Sequence, residues 1–372
     1  MKIPFFNYKQ YCKDLNYIEL VKEVLDSGYL IGGPYLDELE KRMQEYTRIK
    51  HCIGVANATD AMEIIFNFLD LPSNSRVIVP AHTMLATASA AKGAGLIPIP
   101  VDVDSSSLML EYDQLMQCDL TNVSACMITQ LNGVVADMVP IKDFCKSNNL
   151  VLVEDSAQGI GAFNKEHSGS WGIGGCLSFY PAKVIGSLGD GGMILTNNDD
   201  LNNFSRSVRD HGRGEKFDAI NWGRNSRLDS LNARVVLERM NNINEIIKKR
   251  RKLASIYYKE LCQLEDKKLI KLPPKFSTNS EFKSTFQNFE IQAENRNQLK
   301  DFLARDNIGT IIQWGGFSIA HFRKLGFDIE NYPSTKTLFK KLLLLPMNHM
   351  LLEKEVFFIC KKIIEFYKIN EK

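Results

Sequence analysis

The sequence predicts an α/β protein with a mostly parallel central sheet covered by helices on both faces, followed by a smaller α+β unit. Three observations predict it. The runs RVIVPAH, LIPIPVDVD, SACMITQL, NLVLVED and GGMILTN are short and almost continuously apolar, as expected of strands buried on both faces. The segments between them are long enough for helices, and strands alternating with helices give a parallel sheet. At 372 residues the chain is too long for one compact core, so a large domain over 1–240 and a smaller one over 241–372 are expected.

In chain order, apolar residues recur at helical spacing from Tyr17 to Leu25, and Ser27-Gly28 stops the run. A second helix follows Gly32-Gly33-Pro34, with Leu36, Leu39, Met43 and Tyr46 on one stripe. Ile53 to Ala56 reads as a strand end. Ala61, Ile64, Ile65, Phe68 and Leu69 then form the buried face of a helix. Between them Asn57-Ala58-Thr59-Asp60 occupies an N-cap region, where free backbone N–H groups and a hydroxyl can receive a phosphate as readily as they can cap.

The strand Val151–Val153 runs into Glu154-Asp155-Ser156-Ala157-Gln158. Because such sheets bind ligands at the carboxyl ends of their strands, Asp155 and Gln158 belong at the ligand edge. After SFYPAKVIGSLGDGG and the strand GGMILTN, a helix is expected to end at His211-Gly212, and a long helical segment runs from Leu228 to Leu261. The remainder offers strands STFQNFEIQ and TIIQW, a helix Arg296–Arg305 and a terminal helix Glu355–Tyr367.

Composition excludes several classes. With 44% hydrophobic and 24% charged residues and a net charge of +2, nothing calls for nucleic acid. The one basic run, Lys248 to Lys252, reads as a solvated helix face. No segment is long and apolar enough to span a membrane, and no secretory signal is seen. Eight cysteines without a C-x-x-C pair read as buried reduced thiols of a cytoplasmic protein, and the six dispersed histidines offer no metal site.

Chemistry emerges from residues taken together. Lys183 follows a short apolar run and precedes a loop holding Gly186, Gly189, Gly191 and Gly192. A lysine amine forms a Schiff base with a carbonyl, and desolvation makes its proton easy to remove. Pyridoxal phosphate needs such a lysine, a carboxylate for its pyridine nitrogen and a cup of phosphate donors. Lys183, Asp155, and Thr59 with Ser178 and the neighbouring backbone are candidates for the three.

These motifs resemble the DegT/DnrJ/EryC1/StrS aminotransferases. The resemblance lies in SGYLIGGPYLDELE, ANATDAME, VIVPAHTMLATASA, PIPVDVD, LNGVVADM, VEDSAQGIGA, GCLSFYPAKVIGSLGDGGMILTN, RDHG, GRNSRLDSLNARV and LLLPMNHMLLEKE, and it covers almost the whole chain. It implies the fold-type-I pyridoxal-phosphate architecture and a transfer of an amino group from L-glutamate to a nucleotide-linked keto sugar. The lead substrate it implies is dTDP-4-keto-6-deoxy-D-glucose, aminated for an O-antigen or other surface polysaccharide; a 3-keto-6-deoxyhexose is the alternative, with UDP or GDP also open as the nucleotide. It further implies that Lys183 carries the cofactor and moves the proton, Asp155 pairs with the pyridine nitrogen, and Gln158 lies near the ring hydroxyl. Thr59, the backbone of Asp60, Ala58 and Ser178 are implied for the phosphate. Asn225 is implied to reach the partner subunit's phosphate site in a homodimer with shared active sites. Gly32, His211, Arg227 and Trp314 fall on the substrate side.

Three departures stand out. Ala58 replaces a common glycine, and Met84 replaces a ring-stacking aromatic, which a thioether can substitute for. TIIQWGGFSIAHF replaces the usual H-Y-P-x-P-x-H type of segment. Sugar dehydratases resembling this pattern carry histidine at the lysine position, so Lys183 argues against that reading. A cofactor-binding protein without activity is disfavoured because Lys183, Asp155, Gln158 and Ser178 are all retained.

Overall fold

The computed structural model describes residues 2–214, 218–274 and 282–370. Seven strands form the central sheet: β1 (His51–Val55), β2 (Arg76–Pro80), β3 (Ile97–Val101), β4 (Val123–Thr129), β5 (Val151–Asp155), β6 (Gly174–Ser178) and β7 (Gly192–Thr196). Their order is β1-β7-β6-β5-β4-β2-β3. β7 runs antiparallel to both β1 and β6, and every other neighbouring pair is parallel.

Alternation along the strands feeds two opposite cores. Val77, Val79, Ala125, Met127 and Val153 face one cluster, with Ile64, Ile65 and Phe66 of α3 (Ala58–Phe68). Ile78, Cys126, Ile128 and Leu152 face another, with Ile141 and Phe144 from the helix Met138–Ser147. Successive side chains of a strand point to opposite faces, so a strand with no polar alternation must be covered on both. Each fully buried Ile or Phe contributes about 1.5–3 kcal/mol, and this holds the start of α3 firmly against the sheet.

Before α3, α1 (Tyr17–Ser27) ends on Gly28 in the left-handed conformation, as the Ser27-Gly28 stop predicts. α2 (Pro34–Thr47) buries Leu36, Leu39 and Met43. α4 (Leu85–Gly93) follows β2. The helix Asp199–Val208 ends short of His211, which lies at φ 63° in a turn with Gly212. The long helical segment is two helices, Ser230–Met240 and Ile243–Asp266, split at Asn241-Asn242.

Ile243–Asp266 begins against one hydrophobic cluster through Ile243, Ile246 and Ile247. It ends in another through Leu253, Tyr257, Leu261 and Leu264. This second cluster is built on the antiparallel sheet β8 (Ile270–Lys271), β9 (Phe289–Ala293) and β10 (Leu342–Leu345), on Arg296–Arg305 and on the terminal helix Glu353–Asn370. Ile3 joins it from the N-terminus.

Three expectations are corrected. TIIQW is not a strand: only Ile311 bridges to Leu344, and the place beside β9 is taken by the fully buried Leu342–Leu345. The basic run is not uniformly solvated, since Arg250 is fully buried and donates to the carbonyls of Phe286, Gln287 and Met347. All eight cysteines are free, but Cys12 and Cys262 are exposed. Among the described residues no helix is long and apolar enough to cross a membrane, and no cluster of ligands could hold a metal.

Candidate active site

The reversed strand β7 builds the site. Gly192, its first residue, pairs with Ser178 at the end of β6 on one side and with Val55 at the end of β1 on the other. Strands lie about 4.8 Å apart, so Ser178 and the entry to α3 flank one backbone position. That approach requires glycine: a Cβ on Gly192 would lie 2.3 Å from the carbonyl carbon of Asn57 and 2.6 Å from the nitrogen of Ala58.

Asn57 caps α3 by accepting from the Asp60 N–H at 2.8 Å. The Asp60 N–H is therefore committed, and its carboxylate lies 3.8 Å from Arg224. The donors left at this helix start are the N–H groups of Ala58 and Thr59, which have no intrahelical acceptor, together with the Thr59 hydroxyl. Thr59 is half-buried and Ala58 buried. Ser178 is half-buried, and its hydroxyl accepts from the Tyr180 N–H at 3.3 Å.

Asp155 closes β5 in register with Thr129 of β4 and Cys176 of β6. It is buried. Oδ2 accepts from the Thr87 hydroxyl at 2.7 Å, and Oδ1 accepts from the Ala157 N–H at 3.1 Å. Thr87 is also 2.7 Å from the Thr83 hydroxyl, itself 3.0 Å from that of Thr129. Glu154, on the opposite face, takes hydrogen bonds from the N–H groups of Gly169, Trp171 and Gly172 and from Gln130, pinning the loop that leads into β6.

Lys183 sits in the turn after β6, its N–H donating to the Tyr180 carbonyl at 2.8 Å. Gln287 donates to the Ala182 carbonyl at 3.0 Å, so both sides of that peptide unit are held. Desolvation pulls the Lys183 pKa below its ordinary value, against the opposing pull of the Asp155 carboxylate and Cys176. Gln158 accepts from the Asn132 N–H at 2.8 Å.

The remaining candidates divide into two groups. Met84 is 52% exposed at the residue before α4, one turn from Thr87 on the same helical face. Trp314, at φ 50°, packs edge-on to His82 with ring centroids 5.4 Å apart, so it abuts the loop that carries Met84. Asn225, Arg227 and His211 form a separate cluster. Asn225 bridges to Asp210, Arg227 binds Asp210 at 2.9 Å and Asn225 at 3.1 Å, and the His211 N–H donates to Arg224. Among the described residues no hydrogen bond or ion pair links that cluster, or Gly32, to Lys183, Asp155 or Gln158. Gly32 accepts at its carbonyl from Ser230 at 2.7 Å.

Thr87, Asn132 and Gln287 escaped sequence reasoning. The signal that bears on Thr87 is its place three residues after Met84, which the family resemblance sets against the cofactor ring. As a set, the residues fit pyridoxal phosphate. A desolvated amine faces a buried carboxylate braced on both oxygens, and a helix start with free N–H groups lies beside a side-chain-free glycine, the arrangement that receives a phosphate.

Comparison with known proteins agrees. The model of the DegT/DnrJ/EryC1/StrS aminotransferase family matches residues 12–364. The chain is 31% identical over 375 residues to a "pleiotropic regulatory protein" of Geobacillus stearothermophilus, covering 99% of each chain. It is 35% identical over 246 residues to a UDP-2-acetamido-2-deoxy-3-oxo-D-glucuronate aminotransferase of Pseudomonas aeruginosa, covering 66% of this chain and 68% of the relative. The crystal structure of Bacillus subtilis NtdA with bound cofactor PMP superposes with a TM-score of 0.84 at 26% identity, covering 97% of this chain and 85% of the other. With the match running nearly end to end, the chain belongs to the DegT/DnrJ/EryC1/StrS aminotransferase family, enzymes that depend on pyridoxal phosphate.

Proposed function

We propose that this enzyme moves an amino group from L-glutamate to a nucleotide-linked keto sugar. The observation that carries the reading is the placement of Lys183 in the turn after β6, next to the strand β5 that ends on the buried Asp155 and beside the α3 start, with desolvation lowering the pKa of its amine. When bound, pyridoxal phosphate supplies the carbonyl that takes up the amino group and a ring that spreads charge from the reacting carbon. The chain's own residues do the rest. The Lys183 amine would hold the cofactor at rest; once displaced, its Nζ would move a proton from the donor's α-carbon to the cofactor's C4′ carbon in one half-reaction and from C4′ to the sugar carbon in the other. A group that must be base and then acid works best with a pKa near the working pH, which the downward shift favours. Asp155, held by Thr87 and the Ala157 N–H, would pair with the pyridine nitrogen. Thr59, Ser178 and the N–H groups of Ala58 and Thr59 receive the phosphate, while Gln158 and Met84 border the ring.

For the sugar, the 3-oxo substrate in the name of the Pseudomonas relative favours amination at C3 over C4. Incubating the enzyme with glutamate and a panel of UDP-, dTDP- and GDP-linked 3-keto and 4-keto sugars, with products identified by mass and NMR, decides between them. A panel with no aminated product would overturn the reading. Use of the product in a surface polysaccharide such as O-antigen rests on the family resemblance alone.

The active form in this reading is a cytoplasmic homodimer with shared sites. The loop that carries Asn225 also bears Trp222, fully exposed, and Ile220, 60% exposed, and apolar side chains in such a loop are suited to a partner surface. The two clusters met by Ile243–Asp266 support a division near residue 240. Light scattering on the purified enzyme tests the dimer; a monodisperse monomer with full activity would refute it.

A further inference from the structure

We infer that Glu290 is a positioning residue of the cofactor site, acting through Asn132 and Asn288 to direct a second donor onto the Gln158 amide oxygen, which the Asn132 backbone N–H already holds. The inference rests on the reading that Gln158 borders the cofactor ring.

Glu290 lies on β9, far from β5 in sequence, and is buried. Its Oε2 accepts from Asn132 Nδ2 at 2.7 Å. Asn132 Oδ1 in turn accepts from Asn288 Nδ2 at 2.8 Å, and the same Asn288 nitrogen lies 3.2 Å from Gln313 Oε1 and 3.5 Å from Gln158 Oε1. Gln158 Oε1 also accepts from the Asn132 backbone N–H at 2.8 Å. Four amide side chains and one carboxylate thus form a connected chain from β9 to the ligand edge of the central sheet.

An amide can turn over and exchange its donor for its acceptor; an ionised carboxylate can only accept. Above the pH at which Glu290 ionises, it is therefore the member that sets the sense of the Asn132 side chain. If Asn132 turned over, its oxygen would face the carboxylate and its NH2 would face the NH2 of Asn288. With Asn132 and Asn288 held as they are, two donors converge on Gln158 Oε1, and the Gln158 NH2 is directed away from them as the donor available to a ligand.

The backbone leaves little room for adjustment. Asn132 has φ 57° and Gly133 φ 81°, and a Cβ on Gly133 would lie 2.3 Å from Thr285 Oγ1 and 2.8 Å from the nitrogen of Gln287. The turn is wedged against the connecting segment before β9, whose Gln287 holds the Ala182 carbonyl, next to Lys183. Gln313 adjoins Trp314, so the same chain of bonds reaches the segment that departs from the family pattern.

Burial pushes the Glu290 carboxyl up to about 7, against the Asn132 bond that lowers it. Among the described residues, the cavity beside it is lined by Ser107, Leu108, Leu131, Val134 and Phe286, with Asn132 and Asn288, and contains no other charged side chain.

The test uses the purified holoenzyme and two readouts: the pH midpoint of the bound cofactor's visible band, and the Kd of the apoenzyme for pyridoxal phosphate by fluorescence quenching. Gln158→Ala is expected to shift the midpoint by about half a pH unit or more. Glu290→Gln should reproduce at least half of that shift, and the double variant should shift no further than Gln158→Ala alone. A shift in Gln158→Ala with none in Glu290→Gln overturns the inference and leaves the placement of Gln158 standing. No shift in either removes both. Should Glu290→Gln fail to fold, Asn288→Ala, which breaks the link on the far side of Asn132, is held to the same outcomes.

Discussion

Thr87 donates its hydroxyl hydrogen to Asp155 Oδ2 at 2.7 Å, and the hydroxyl is itself held 2.7 Å from Thr83. The carboxylate is thereby fixed in rotation. Thr87→Val keeps the shape and removes the bond, and a hydrogen bond to a charged group contributes about 1.5–3 kcal/mol. We expect the Kd for pyridoxal phosphate to rise about 10-fold or more and kcat to fall. Equilibrium binding to the apoenzyme checks this, and an unaltered Kd would show that Thr87 serves packing alone.

Lys183→Ala should abolish turnover and remove the visible absorbance of the covalently held cofactor, with the fold intact by circular dichroism. Retained turnover would refute the assignment of Lys183.

The same lysine has a signature in the apoenzyme. Its folded-state pKa lies below the ordinary 10.5, so between the two values the unfolded chain binds more protons than the folded one. Stability should therefore rise with pH across that window and level off above it. Lys183→Met should flatten the rise. Denaturant melts of both apoenzymes over alkaline pH measure it, and parallel curves would contradict the desolvation of the amine.

Gly192→Ala would set a Cβ 2.3 Å from the Asn57 carbonyl carbon, against backbone that cannot swing aside. Overpacking of this kind costs about 1–3 kcal/mol. Because the clash falls at the start of α3, the affinity for pyridoxal phosphate should drop as well as the melting temperature. Gly189→Ala, where the nearest atom is the Asn232 side-chain amide at 3.9 Å, serves as the control. Equal effects of the two substitutions would refute the account.

Glu290 has the opposite sign to Lys183. Its pKa is raised from 4.5 to about 7, so the folded state retains a proton that the unfolded chain has released, and stability is lost as pH rises through that window. The shift corresponds to about 3 kcal/mol. Glu290→Gln should flatten the loss and be more stable than the parent above pH 7 while binding the cofactor less well. Thermal melts against pH test this; a variant less stable at every pH would refute it.

Lys183, Asp155, Gln158, Ser178 and the start of α3 were legible in the sequence because each lies next to a strand end or a helix start, and local apolar patterning marks both. The family motifs cover the same positions. TIIQW was misread because its apolar run matches a strand locally, whereas only Ile311 pairs, with Leu344 on the outer edge of β10, before the chain turns at Gln313–Gly316. Arg250 was misread because its neighbours in the basic run are solvated and only the fold brings three carbonyls to it.

The sequence by itself determined the alternation of buried strands and helices, and the positions of the candidate lysine, carboxylate and helix start, since these follow from periodicity and residue chemistry over a few neighbours. Tertiary structure alone decided what braces them. Thr87 meets Asp155 across 68 positions, Gln287 meets Ala182 across 105, and Glu290 meets Asn132 across 158. Such partners carry no local signal, because their bonds exist only once the reversed strand β7 and the second sheet have packed.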